Sequence, residues 1–244
     1  MVHPSQIAVT IVVVAIAACI QRISGFGFSL LATPLLATTL SVRDAVVVLA
    51  IVSLPATTAT WWQLRDHVDR AQLRRLVAFA IPGLPVGLGI HRLVTERGMR
   101  LVLAGVVIAA IAALATGWRV AVHHAARADA VSGFFSGVLN MTTGTNGPPL
   151  VVNLTSQDVS PDRMRATLSG VFALTGVLGL ALFAVDGDIG RAQITLGLIG
   201  LPVAVVAQQI GTRLTPLVSD RLFRSLTFVL LSLTAITSAI NALR

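Results

Sequence analysis

The chain has 244 residues; 55% are hydrophobic, only 11% are charged, and the mean hydropathy is +0.86. A soluble domain of this length has no use for so much apolar surface, so the composition predicts a polytopic membrane protein. The net charge of +8 comes from arginines scattered over many polar stretches; this excludes a nucleic-acid-binding face and fits loop anchoring at a membrane surface.

Taken in order, residues 7–20 form a continuous apolar helix. Cys19 is the single cysteine, so no disulfide framework or cysteine metal cluster is available. Ile16-Ala17-Ala18-Cys19 looks like a lipoprotein cleavage box, but no Lys or Arg precedes it, and a packing cysteine is the better reading. The helix meets a break at Gln21-Arg22-Ile23-Ser24-Gly25-Phe26-Gly27-Phe28-Ser29, with Pro34 beyond it. Ser41-Val42-Arg43-Asp44 is a turn suited to cap the next helix. Apolar runs follow at 45–62, 76–90 and 101–118, the second with a predicted kink at Pro82-Gly83-Leu84-Pro85. A second break, Asn140-Met141-Thr142-Thr143-Gly144-Thr145-Asn146-Gly147-Pro148-Pro149, interrupts the apolar region after residue 129. Further runs lie at 166–185, 194–207 and 226–243.

With the two broken regions this predicts an all-α membrane protein of about eight hydrophobic segments. The halves share an order of short matches: Gly83-Leu84-Pro85-Val86 with Gly200-Leu201-Pro202-Val203, and Glu96-Arg97-Gly98-Met99-Arg100 with Asp220-Arg221-Leu222-Phe223-Arg224. This order predicts two homologous four-segment repeats, at 1–118 and 129–244, joined by a connecting loop at 119–128. The first segment of each repeat is broken or re-entrant. If both broken regions span, the arginines divide evenly between the two sides. If both are hairpins, eleven fall on one side and six on the other. The positive-inside rule favours the hairpins and inverted repeats.

Gly and paired Pro cannot continue a helix. A break at membrane depth survives only in protein or beside a wet cavity. The half-helix ends left there have free N–H groups and a positive dipole end, which suit an anion. Candidate substrate-binding residues are therefore Gln21, Arg22, Ser24, Gly25, Gly27 and Ser29 from the first break. Asn140, Thr142, Thr143, Gly144, Thr145, Asn146, Gly147 and Pro148 come from the second. Arg22 is the one charge beside a break, and its expected role is to add formal charge to the site; the competing role is snorkelling to the interface. The threonines and asparagines compete between ligation and capping of the half-helices.

The two breaks, with His67-Val68-Asp69 and Arg165-Ala166-Thr167, resemble the signatures of the TauE/SafE family of bacterial sulfite exporters. In the first half the resemblance rests on Gln21, Gly25-Phe26-Gly27-Phe28 and Pro34-Leu35. In the second it rests on Ser136-Gly137 through Gly144 and on Gly147-Pro148-Pro149-Leu150, the more specific signature. Arg22 and Asn146 depart from it. The resemblance implies a multi-pass transporter of the bacterial inner membrane that exports sulfite or small sulfur-containing organic anions. An anion channel and an importer of another small carboxylate or sulfonate are the alternatives.

All the acids and all five histidines fall at segment ends or in loops, so no carboxylate or imidazole is expected within the membrane interior. A proton relay, a metal site and intramembrane catalysis are correspondingly disfavoured, and no cofactor is expected. The expected partners are a small anionic substrate and the lipid bilayer, with no nucleic acid; a homo-oligomer is compatible with the composition.

Overall fold

The computed structural model describes residues 2–116 and 124–214, together with Val229. Their regular structure is entirely helical. Helix α1 (Pro4–Ser24) has 21 residues. At about 1.5 Å per residue, that is enough to cross a hydrocarbon core of about 30 Å. It stops at Gly25, whose φ of 81° lies in the left-handed region where a Cβ is costly. Gly27 is left-handed too, and α2 (Phe28–Leu36) starts from it.

The chain then doubles back. Gln6 near the start of α1 donates from Nε2 to the Thr39 carbonyl just past α2, at 3.2 Å. Val13, Val14, Ala17 and Ala18 share one apolar cluster with Phe28, Leu31, Ala32 and Leu36. Cys19 packs at its edge.

Helix α3 (Val42–Leu64) is capped by Ser41, whose Oγ accepts from the Asp44 N–H at 3.0 Å. A 3-10 turn at Arg65–His67 leads to α4 (Arg70–Leu93). Asp69 caps α4, accepting from the N–H groups of Ala71 and Gln72 at 3.0 Å. α4 stays continuous through Pro82 and Pro85. Helix α5 (Glu96–Ala115) follows, then α6 (Ala125–Thr142), a left-handed Gly144 and α7 (Gly147–Ser156). This second region also reverses. Asn153 and Gln157, at the end of α7, donate to Asp129 Oδ1 near the start of α6, at 2.8 and 3.0 Å. Helices α8 (Pro161–Asp186) and α9 (Arg191–Leu214) complete the described part. Apart from Val229, the expected run at 226–243 lies outside the described residues, as do Trp118 and residues 119–123 of the connecting loop.

α1 packs along α9, α6 along α4, and α3 against α8. The α4–α6 contact is close because glycines line it. A methyl group on Gly133 or Gly137 would overlap the carbonyls of Leu76 or Ala80, and one on Gly83 or Gly87 those of Phe134 or Val138. Five described helical stretches are long and apolar enough to cross a membrane: Pro4–Ile23, Val42–His67, Arg70–Leu93, Pro161–Asp186 and Arg191–Leu214.

Polar contacts gather at two opposite ends of these helices. At the Asp44 end, Gln193 reaches Asp44, Arg92 pairs with Asp186, and Glu96 accepts from the Val42 N–H. At the Arg75 end, Arg75 pairs with Asp129 at 2.9 Å and Arg163 with Asp69 at 3.1 Å.

Candidate functional site

The two breaks come together. Gln21 and Gly27–Leu30 from the first, and Asn140 and Gly144–Gly147 from the second, line one cavity. α3 adds Val46, Ala50, Ser53 and Thr57, and α8 adds Phe172, Gly176 and Phe183. Water-sized molecules have about 50 Å³ there, several times the ~10–15 Å³ that one water needs. Among the described residues no charged side chain lines it.

Its electrostatics come from helix ends. The first bond within α2 runs from the Leu31 N–H to the Gly27 carbonyl, so the N–H groups of Phe28, Ser29 and Leu30 have no helical acceptor. In α7, Pro148 and Pro149 have no N–H to offer, which leaves Gly147 alone among the first three helical residues. Neither N-cap, Gly27 or Asn146, provides a side-chain capping bond. Two positive helix ends therefore face the cavity without an internal counter-charge.

The breaks are built alike. An amide side chain, Gln21 or Asn140, stands four residues before a left-handed glycine, Gly25 or Gly144, and the next helix begins three residues later. Asn140 donates from Nδ2 to the Thr175 carbonyl at 3.3 Å and accepts from Asn146 Nδ2 at 3.2 Å. Gln21 is buried, and its Oε1 has no hydrogen-bond partner among the described residues.

Eight predicted site residues line the cavity: Gln21, Gly27, Ser29, Asn140, Gly144, Thr145, Asn146 and Gly147. The others do different work. Gly25 packs under Arg165, where a Cβ would collide with the arginine. Thr142 bonds back to the Val138 carbonyl at 3.1 Å, and the hydroxyls of Thr143 and Thr145 pair at 2.7 Å. Thr33 of α2 donates to the Thr143 carbonyl at 3.1 Å, tying the hairpins together. Pro148 is buried in the first turn of α7. The Ser24 side chain lies outside what the structure describes.

Arg22 does not line the cavity. Its Nε donates to Thr212 Oγ1 at 2.8 Å, Nη1 to Thr60 Oγ1 at 3.1 Å and Nη2 to Gln63 Oε1 at 2.8 Å. The guanidinium braces α1 against α9 and α3 at the Arg75 end.

The family model described as "Sulfite exporter TauE/SafE" matches residues 10–238. The chain belongs to the TauE/SafE family. A protein of Cupriavidus necator named "Probable sulfite/organosulfonate exporter TauE" is 33% identical over 98 residues, which cover 40% of this chain and 38% of that protein. The chain therefore matches well under half the length of that relative. No solved structure matches the chain.

Two ionisable groups at helix ends of this TauE/SafE chain are nonetheless buried. Asp129 is fully buried. Its Oδ1 accepts from Gln72, Asn153 and Gln157, and its Oδ2 accepts from Arg75. His91 is 1% exposed and packs on Phe183, a cavity residue, with ring centroids 5.3 Å apart. Both sit near helix ends, as their sequence positions imply, but neighbouring helices cover them.

The sequence also missed Ser53, Thr57, Phe172 and Gly176. They lie inside continuous apolar helices, and Thr57 bonds back to the Ser53 carbonyl as any helical threonine does.

Proposed function

We propose that this TauE/SafE protein is a secondary transporter that exports sulfite or a small sulfur-containing organic anion across a bacterial inner membrane. The observation that carries this reading is the convergence of two uncapped helix N-termini on one neutral, polar cavity. An anion there meets N–H donors and two positive helix ends, and no lining carboxylate repels it. The volume suits a small anion. The family and the name of the Cupriavidus necator relative support the substrate class.

Two inverted repeats underlie the site in this reading. The support is the exchange of packing partners: α1 of the first half lies on α9 of the second, and α6 of the second lies on α4 of the first. The shared spacing of the breaks and the serine N-caps of α3 and α8, Ser41 and Ser160, support it further. The Arg75 end holds the larger share of arginines, including Arg65, Arg70, Arg74, Arg75, Arg163, Arg165 and Arg213. It is the cytoplasmic end by the positive-inside rule.

The membrane potential supplies the drive. A unit charge falling through 100 mV gains about 2.3 kcal/mol, and with a negative interior the force on an anion points outward. The test is efflux of labelled sulfite or methanesulfonate from proteoliposomes clamped with potassium and valinomycin. Saturable outward flux that rises with an inside-negative potential supports the carrier. Non-saturable flux favours a channel, and flux that follows only the pH gradient and ignores the potential overturns the potential-driven reading.

A further inference from the structure

We propose that His91 and Asp188 form a proton-binding site that works together with the anion cavity, so that a proton on His91 tightens the hold on the anion. This rests on the reading of the cavity as an anion site.

His91 lies in the last turn of α4, at the Asp44 end, and is 1% exposed. Its Nε2 is 3.6 Å from Asp188 Oδ2, which follows α8 just past the left-handed Gly187. That is too long for a good hydrogen bond. Among the described residues no well-formed hydrogen bond reaches either ring nitrogen or that carboxylate oxygen, and the backbone of Thr142 and Met141 meets the ring only loosely. A buried imidazole held this loosely is costly. Asp188 keeps 32% of its side chain exposed, so it connects the buried ring to water.

Burial by itself disfavours a charged ring, and the groups packed around His91 offset that cost only in part. The ring faces the backbone of Met141 and Thr142, at the C-terminal end of α6, where carbonyls lack helical donors. From the end of α8 it faces the Asp188 carboxylate, and from α3 the opposing charge of Arg43. Arg43 donates to the carbonyls of Arg92 and Val94, and Arg92 itself pairs with Asp186. α5 adds Met99 to the apolar cluster there, while its Glu96 is turned to the Val42 N–H and Arg100. Among the described residues, Asp188 is thus the carboxylate that faces the ring. A proton moves from water to a ring nitrogen, no heavy-atom bond changes, and the site gains one positive charge.

Two paths lead from this charge to the cavity. Phe183 packs on the ring and also lines the cavity. The α6 end that faces the ring continues into Gly144–Gly147, the cavity wall from the second break. A proton on His91 therefore adds a cation behind that wall and fixes the tip that presents the α7 end. By reciprocity, a bound anion raises proton uptake by the same factor.

The test uses the full chain purified in detergent, with methanesulfonate as the probe, because its charge does not change near neutrality. Affinity is measured at about pH 5.5 and about pH 8.5, on either side of the ordinary histidine range. The expected result is binding at least about fivefold tighter at the lower pH, the small end of usual coupling factors. His91→Gln should hold the high-pH affinity at both values. Asp188→Asn should shrink the ratio, and it answers the same question if the His91 variant does not fold. In wild-type protein labelled with 15N-histidine, added methanesulfonate should move the His91 titration midpoint upward. Binding that is present but independent of pH, or a His91→Gln protein that keeps the pH dependence, overturns the proton site and leaves the anion site standing. No binding at either pH overturns both.

Discussion

The two hairpins have the same plan but are closed by different chemistry. The first is held at the Asp44 end by one neutral hydrogen bond, Gln6 to the Thr39 carbonyl, over an apolar α1–α2 contact. The second is held at the Arg75 end by the buried Asp129 carboxylate, which gathers Arg75, Gln72, Asn153 and Gln157. An apolar contact with one neutral bond slides at small cost, whereas opening the second hairpin strands a buried charge. The second hairpin is thus the fixed post; in the first, Arg22 braces α1 against α9 and α3, which leaves α2 as the half-helix easier to move. The first also presents more backbone donors, since α7 begins with two prolines.

The largest effect expected on this contrast is Asp129→Ala. It leaves several buried donors facing nothing and should cost about 3–5 kcal/mol. Thermal unfolding of the purified protein in detergent reads it, and a variant as stable as wild type would remove the idea of a fixed post. Gly27→Ala comes next. A Cβ at φ 95° costs about 1–2 kcal/mol and disturbs the start of α2. Methanesulfonate binding should weaken about tenfold, against less than threefold for Asn146→Ala at the start of α7. Equal losses at the two positions would mean that the two breaks share the anion equally.

Arg22→Gln separates bracing from binding. It should cost about 1–2 kcal/mol of stability, from charged hydrogen bonds in a partly exposed setting. Affinity for methanesulfonate should stay within about twofold. A large loss of affinity with stability intact would restore Arg22 to the anion site. The smallest effect is expected for Gln6→Ala, about 1 kcal/mol. Its signature is local: faster hydrogen exchange in α2 with α7 unchanged. Equal acceleration in both half-helices would break the contrast between the hairpins.

The sequence by itself determined where the helices break and how they start. Gly25, Gly27, Gly144 and the paired prolines act on their own backbone, and Ser41 and Asp69 cap the nearest N–H groups. Such effects reach only a few residues, so a string of letters contains them. Hydrophobic composition fixed the helical membrane class for the same reason, because every segment must satisfy its own backbone in lipid. What only the tertiary structure decided is who covers whom. Asp129 and His91 occupy helix ends, and burial came from α7 in one case and from Phe183 and the α6 end in the other. Arg22 stands beside a break, yet its partners on α3 and α9 turn it away from the cavity. Ser53 and Gly176 read as ordinary helix residues until α3 packs against α8 and brings both to the cavity wall. Burial, pairing and cavity shape depend on residues far apart in the chain, and they exist only once the helices have packed.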